Sequence, residues 1–197
     1  MFHNLRSRIA SGERLCGTMV TMPSPIVAEI LADAEFDWLM RDGEHGALQF
    51  SEILAILQSV GARIPCLVRV PAADEVAIKK VLDFGACGIV VPQVNTEQQA
   101  RDVVRFARYA PDGERGIGLS RAQCYGARFH EYLDTANDEI AVVVQAEHSV
   151  AAKNIKEIAT VAGIDAVFVG PYDLSASLGK TGKVNDPEVI SAIDRVT

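Results

Sequence analysis

Glu147 and Asp173 are the two side chains around which a chemistry can be built. In the run AVVVQAEH, Val143, Gln145 and Glu147 share one strand face, because side chains alternate with period two. A glutamate closing an apolar run is uncommon in a structural strand, since Glu is rarely buried unless paired or bound to a metal. A second apolar run, Ala166–Val169, ends at Gly170-Pro171-Tyr172-Asp173. The chain between them suffices for strand, helix and parallel strand, so both strands end on the same sheet edge and the two carboxylates converge. A pair of carboxylates at strand ends is what a hard divalent cation such as Mg²⁺ requires. The competing reading makes them helix N-terminal carboxylates facing the macrodipole, which leaves Gln145 on the same face unexplained.

The positioning elements follow from periodicity and punctuation. A helix is expected from Asn4 to Ala10 and a strand over Leu15–Val20. Ser24-Pro25 opens a helix with the apolar stripe Ile26, Val27, Ile30 and Leu31. Strand Phe36–Met40 runs into Arg41-Asp42-Gly43-Glu44-His45-Gly46, and Ser51 caps the helix that ends at Gly61. Strand Pro65–Val70, helix Asp74–Phe84, strand Gly88–Val94 and a helix Glu97–Tyr109, opened by the Thr96/Gln99 capping box, continue the alternation. After the last strand a helix, Pro187–Val196, starts from the Asp186-Pro187 cap.

Strands alternating with helices specify a parallel α/β sheet covered by helices. Polar residues gather after each apolar run: Asp42 and His45, Arg69, Gln93, Gln145 and Glu147, Asp173. Groups at the carboxyl ends of many strands suit a (β/α) barrel, whereas a doubly wound sheet concentrates them at one switch point. Neither GxGxxG nor a Walker A pattern is present. Ala110–Arg128 is the one long irregular segment; loops of this length are functional lids or disordered, and Arg121 within it is a candidate to bind a distal carboxylate.

The totals bound the function. One domain over residues 1–197 is expected from the length. A net charge of −7 argues against nucleic acid and anionic membrane as partners. The opening MFHNLRSRIASGERL is punctuated by charge, unlike a secretory signal, and no apolar run approaches the roughly 18 residues of a membrane span. Cys16, Cys66, Cys87 and Cys124 are scattered, as reduced cytoplasmic thiols would be.

The ordered set FDWLMRDGEHG, LVRVP, DFGACGIVVPQV, RYAPDGERG, VVVQAE and FVGPYDLSASLG resembles the HpcH/HpaI aldolases, the metal-dependent class II pyruvate aldolases. The resemblance runs from about Asn4 to the end of the chain. It implies a TIM-type barrel of the phosphoenolpyruvate/pyruvate kind and reversible cleavage of a 4-hydroxy-2-oxo acid to pyruvate and an aldehyde. It implies that Glu147 and Asp173 hold the divalent metal (Mg²⁺ first, then Mn²⁺, Co²⁺ or Zn²⁺), and that Asp173 also binds substrate. Gln145 and backbone N–H groups near Gly170 and Tyr172 would contact the 2-oxo acid. Arg69 would stabilise the enolate, and His45 would act as base with Asp83 raising its basicity and Asp42 supporting the network. Imidazole suits proton transfer near neutral pH, and a metal with a guanidinium places stabilisation where charge develops. A class I mechanism needs a Schiff-base lysine inside the barrel, and every lysine lies on an expected helix or loop.

Two rivals stand beside this reading: a citrate-lyase or malyl-CoA-lyase type enzyme, and a non-catalytic remnant that binds metal and pyruvate or pairs with a longer homologue. The resemblance implies eight strands, of which six are found here, with the remainder supplied by a longer product or by another chain. It further implies a homo-oligomer, by resemblance a hexamer.

Overall fold

The computed structural model describes residues 5–197, so Asn4, the expected start of the first helix, lies outside the described residues. Six strands lie side by side in chain order, all parallel: β1 Gly17–Val20, β2 Trp38–Asp42, β3 Cys66–Arg69, β4 Gly88–Val91, β5 Ala141–Ala146 and β6 Ala166–Val169. The register pairs Met19 with Met40, Asp42 with Arg69, Val90 with Val143 and Gln145 with Phe168. Both faces are apolar because both are covered. Leu39, Val68, Ile89, Val91, Val142 and Val144 pack against the helices. Met40, Leu67, Val90, Ala141 and Val143 line the opposite face, toward which the sheet curls as part of a barrel.

The helices are α1 Leu5–Ala10, α2 Pro25–Ala32, α3 Phe50–Val60, α4 Glu75–Asp83, α5 Glu97–Ala107, α6 Phe129–Glu139, α7 Ser149–Lys153, α8 Ile155–Ala159, α9 Pro171–Ser177 and α10 Pro187–Val196. Local chemistry sets their starts. Ser24, Asp74, Thr96 and Asp186 each accept an N–H from the first turn that follows. For α3 the expected Ser51 cap gives way to an earlier start: Glu52 reaches back to accept the N–H of Gln49 at 2.8 Å, so the helix begins at Phe50. The expected stripe of α2 also divides. Val27 and Leu31 are half-buried, while Ile26 and Ile30, one residue earlier in each pair and so rotated about 100°, are 69% and 64% exposed.

Strand ends shift in ways that matter for the site. β2 runs on through Arg41 and Asp42, past the expected Met40, because both bond into the ladder with β3. β4 stops at Val91, short of the expected Val94, since Pro92 lacks an N–H and Gln93 turns into the left-handed region with φ 56°.

The long segment is not a lid over this chain's strand ends. It follows α5, and a helix in this alternation carries the chain back to the amino edge of the sheet. There it forms a 3₁₀ turn, Arg121–Gly126, before α6. Arg121 donates to the carbonyls of Phe84 (2.7 Å) and Leu57 (3.0 Å), satisfying the ends of α4 and α3 instead of facing a substrate carboxylate. Arg115 anchors the segment, bonding Asp83 at 2.8 Å and stacking over the Tyr109 ring.

Candidate active site

Parallel strands place their carboxyl ends on one edge, and there the register brings Asp42 beside Arg69. Arg69 Nε and Nη2 donate to the two Asp42 oxygens at 2.8 and 2.7 Å, a bidentate pair with both side chains buried. Asp42 Oδ1 also accepts the N–H groups of Glu44 (3.1 Å) and His45 (3.3 Å), which folds the turn after β2 over the strand end. Arg69 Nη1 faces Gln145 Oε1 and Glu44 Oε2, each at 3.4 Å. Gln145 Nε2 donates to Glu147 Oε2, and Glu147 Oε1 accepts the Gln93 N–H at 2.8 Å. Asp42, Arg69, Gln145 and Glu147 thus form one hydrogen-bonded chain across β2, β3 and β5.

The charges in this chain are unevenly compensated. Burial pushes the Asp42 carboxyl up, but Arg69 and the two N–H groups outweigh it and hold it below the usual aspartate range. Burial draws Arg69 down, and the carboxylates of Asp42, Glu44 and Glu147 more than restore its charge. Glu147 is raised, first by burial and then by Glu44 and Asp173, against the lowering by Gln93 and Gln145. Glu44 is raised by burial, with Asp42 and Asp173 adding to it and Arg69 and His45 opposing. Its buried Oε2 has no hydrogen-bond partner.

Gly170 shows how closely the Glu147 carboxylate is packed. A Cβ there would lie 2.7 Å from Glu147 Cβ, 2.8 Å from Glu147 Oε2 and 3.0 Å from Gln145 Nε2, so any side chain at 170 would displace the carboxylate. Among the described residues no cluster of three or more His, Cys, Asp and Glu side chains is set to hold a metal. The oxygen donors available at this edge are the carboxylates of Glu147, Asp173 and Glu44, near enough to influence one another. Hard oxygen donors and an under-compensated negative field fit a divalent cation that keeps positions for water and substrate.

The expected residues therefore divide. Asp42, Arg69, Gln145, Glu147 and Gly170 converge, and Asp173, in the first turn of α9, is near enough for its charge to act on Glu147 and Glu44. His45 is on the same edge with its side chain 62% exposed, and Nε2 lies 3.7 Å from Glu44 Oε2. Tyr172 is exposed, and the Gly170 N–H bonds the Ala146 carbonyl, leaving it nothing to offer a substrate. Asp83 is not brought to His45 within this chain: it ends α4, at the amino edge, and is engaged by Arg115. Two participants carried no role in the sequence reading. Glu44 stood in the motif without one. Gln93 was visible as a strand-end polar residue, but its contribution is a backbone N–H, which no residue type announces.

Fold and site together define a β/α enzyme scaffold with an acidic, oxygen-donor centre at its strand ends. Residues 16–197 match the HpcH/HpaI aldolase/citrate lyase family, and the chain belongs to it. It is 44% identical over 193 residues to a 4-hydroxy-2-oxovalerate aldolase of Rhodococcus jostii (strain RHA1), covering 97% of this chain and 74% of that protein. It is 40% identical over 199 residues to a 4-hydroxy-2-oxo-heptane-1,7-dioate aldolase of Shigella boydii serotype 4 (strain Sb227), covering 99% and 75%. The crystal structure of an HpcH/HpaI aldolase/citrate lyase family protein from Burkholderia cenocepacia J2315 superposes with a TM-score of 0.92 at 36% identity, covering 98% of this chain and 78% of that one. This chain thus spans about three quarters of the length of these relatives.

Proposed function

We propose that this chain is a class II aldolase, built on a TIM-type barrel of the phosphoenolpyruvate/pyruvate kind, that cleaves a 4-hydroxy-2-oxo acid to pyruvate and an aldehyde. The observation that carries the reading is the buried chain Asp42–Arg69–Gln145–Glu147, ending in a carboxylate that is raised by burial and by its acidic neighbours. Glu147 and Asp173 would hold a divalent cation (Mg²⁺ first, with Mn²⁺, Co²⁺ and Zn²⁺ as alternatives), which would supply Lewis-acid stabilisation of negative charge on the 2-oxo acid.

The chain's own residues do the rest. Arg69, fixed in plane by its bidentate bond to Asp42, keeps Nη1 for the oxygen on which enolate charge develops. Arginine suits this place because it stays charged when desolvated. Gln145 orients the 2-oxo acid between Arg69 and Glu147. His45, exposed on the same edge, takes the proton of the 4-hydroxyl through a water as the C3–C4 bond breaks and the aldehyde leaves. The enolate then takes that proton back at C3, through the same water, which gives pyruvate and returns His45 to its starting state. The first-turn N–H groups of α9 at Tyr172 and Asp173 face the substrate carboxylate. Asp83, at the other edge, has no part in these steps within one chain. The exposed Ile117, Leu119 and Tyr125 of the long segment support a homo-oligomer.

Pyruvate release from a 4-hydroxy-2-oxo acid tests the proposal. Turnover is expected to vanish with EDTA, to return with Mg²⁺ or Mn²⁺, and to fall about 10²–10⁴-fold in His45→Ala. Turnover indifferent to EDTA would refute the metal's role, and absence of turnover despite metal binding would leave a binding protein.

A further inference from the structure

Gln93 adopts a backbone conformation, φ 56°, that residues with a Cβ other than Asn and Asp rarely enter. Its side chain is exposed, so no packing of that side chain rewards the choice. What the conformation does is local. Were residue 93 extended, β4 would continue alongside β5 and the Gln93 N–H would take up a backbone partner in the ladder. The left-handed turn ends the ladder after Val91 and leaves that N–H for Glu147 Oε1, 2.8 Å away on the end of the neighbouring strand.

The turn is held from both sides. Pro92 precedes it, Asn95 Nδ2 donates to the Gln93 carbonyl at 3.2 Å, and the Asn95 carbonyl accepts Asn154 Nδ2 at 2.9 Å from the junction of α7 and α8. On the other side of the carboxylate, Gln145 Nε2 donates to Oε2. One donor per oxygen fixes the plane of the Glu147 carboxylate, and the missing Cβ of Gly170 lets the backbone of β6's end pack closely against it.

We infer that Gln93 is a positioning residue for cation binding, acting through its left-handed backbone and not through its amide side chain. The inference rests on the reading of Glu147 as a metal ligand. It makes the requirement at position 93 conformational: Gly and Asn, which enter this region readily, serve as well as Gln, whereas a β-branched residue does not. A relaxed turn withdraws the N–H, and binding the cation must then restore it, as with other groups that orient a ligand from behind.

Mn²⁺ affinity of the full chain, measured by electron paramagnetic resonance of the free ion, tests this in wild type, Gln93→Gly, Gln93→Asn, Gln93→Ala, Gln93→Val and Glu147→Gln, with far-UV circular dichroism confirming the fold. Gly and Asn are expected within about twofold of wild type, and Val weakened about tenfold or more, with Ala between. Should Val fail to fold, the Ala variant against Gly decides. Val and Ala binding like wild type, while Glu147→Gln loses the ion, would overturn the role of Gln93 alone. Gly and Asn losing as much as Val would also overturn it, by pointing to the full-length glutamine side chain. Glu147→Gln binding Mn²⁺ like wild type would overturn both this inference and the ligand assignment beneath it.

Discussion

At the amino edge of the sheet, Asp165 accepts Arg6 Nε at 2.7 Å, Arg108 Nη2 at 3.4 Å and the Val142 N–H at 2.8 Å, while Arg108 gives another proton to the Ile140 carbonyl at 2.7 Å. At the carboxyl edge, Glu44 keeps a buried oxygen with no hydrogen bond, and Glu44, Asp173 and Glu147 repel one another around a single guanidinium, Arg69. One edge thus holds a carboxylate with every oxygen engaged, Asp165, and the other a buried carboxylate oxygen with no hydrogen bond, on Glu44. Saturated buried ions fasten helices to the sheet and do nothing further. Under-compensated carboxylates on a rigid edge cost stability in the empty protein and lower the cost of receiving a cation.

The largest effect should come from breaking the amino edge. Asp165→Ala leaves Arg108, buried and drawn down to about 10 chiefly by burial, without its carboxylate. A loss of about 3–5 kcal/mol in urea unfolding is expected, with the activity of the folded fraction unchanged. An activity loss as large as the stability loss would erase the division between the edges.

Next in size is Arg69→Lys, which keeps the charge but cannot form the two-pronged bond to Asp42 while pointing a third donor at the site. A fall of about 10²–10³ in kcat is expected, as for removal of one oxyanion donor. A change confined to KM would instead mark Arg69 as a binding residue only.

The smallest effects are the most specific in sign. Glu147 has a raised carboxyl, so its contribution to stability is full below the ordinary glutamate pKa and is lost as the pH rises through the raised value. Asp42 is lowered, so its contribution is present above the ordinary aspartate pKa and is lost as the pH falls through the lower one. At neutral pH in EDTA, Glu147→Gln should therefore melt at or above wild type, and Asp42→Asn below it. Saturating Mn²⁺ should reverse the order of wild type and Glu147→Gln, because only the intact ligand gains from the ion. Equal response of both to the metal would contradict the contrast.

What the sequence made legible was whatever is decided locally or by period. Apolar runs marked the six strands, and Ser24, Thr96 with Gln99, and Asp186 announced their helix starts by side chains that act within one turn. Polar residues at strand ends found Asp42, Arg69, Gln145 and Glu147 because a parallel sheet brings all such ends together. Features set by tertiary context stayed hidden. Ile26 and Ile30 fit an apolar stripe yet face outward. The long segment looked like a lid until its place after a helix put it at the amino edge, where Arg121 closes two helix ends. Gln93 gave no sign of a left-handed backbone, since neither its size nor its amide favours one. The separation of Asp83 from His45 was readable in principle: one precedes a strand, the other follows one, and in parallel strands those are opposite edges.

Crystals soaked with Mn²⁺ and oxamate, a pyruvate mimic, give the most direct test through an anomalous-difference map. A single strong peak is expected within about 2.2 Å of carboxylate oxygens from both Glu147 and Asp173, with oxamate between that ion and Arg69. A map in which the ion is absent from this pair, or the two carboxylates stand too far apart to share it, would contradict the assignment of this edge as an aldolase centre.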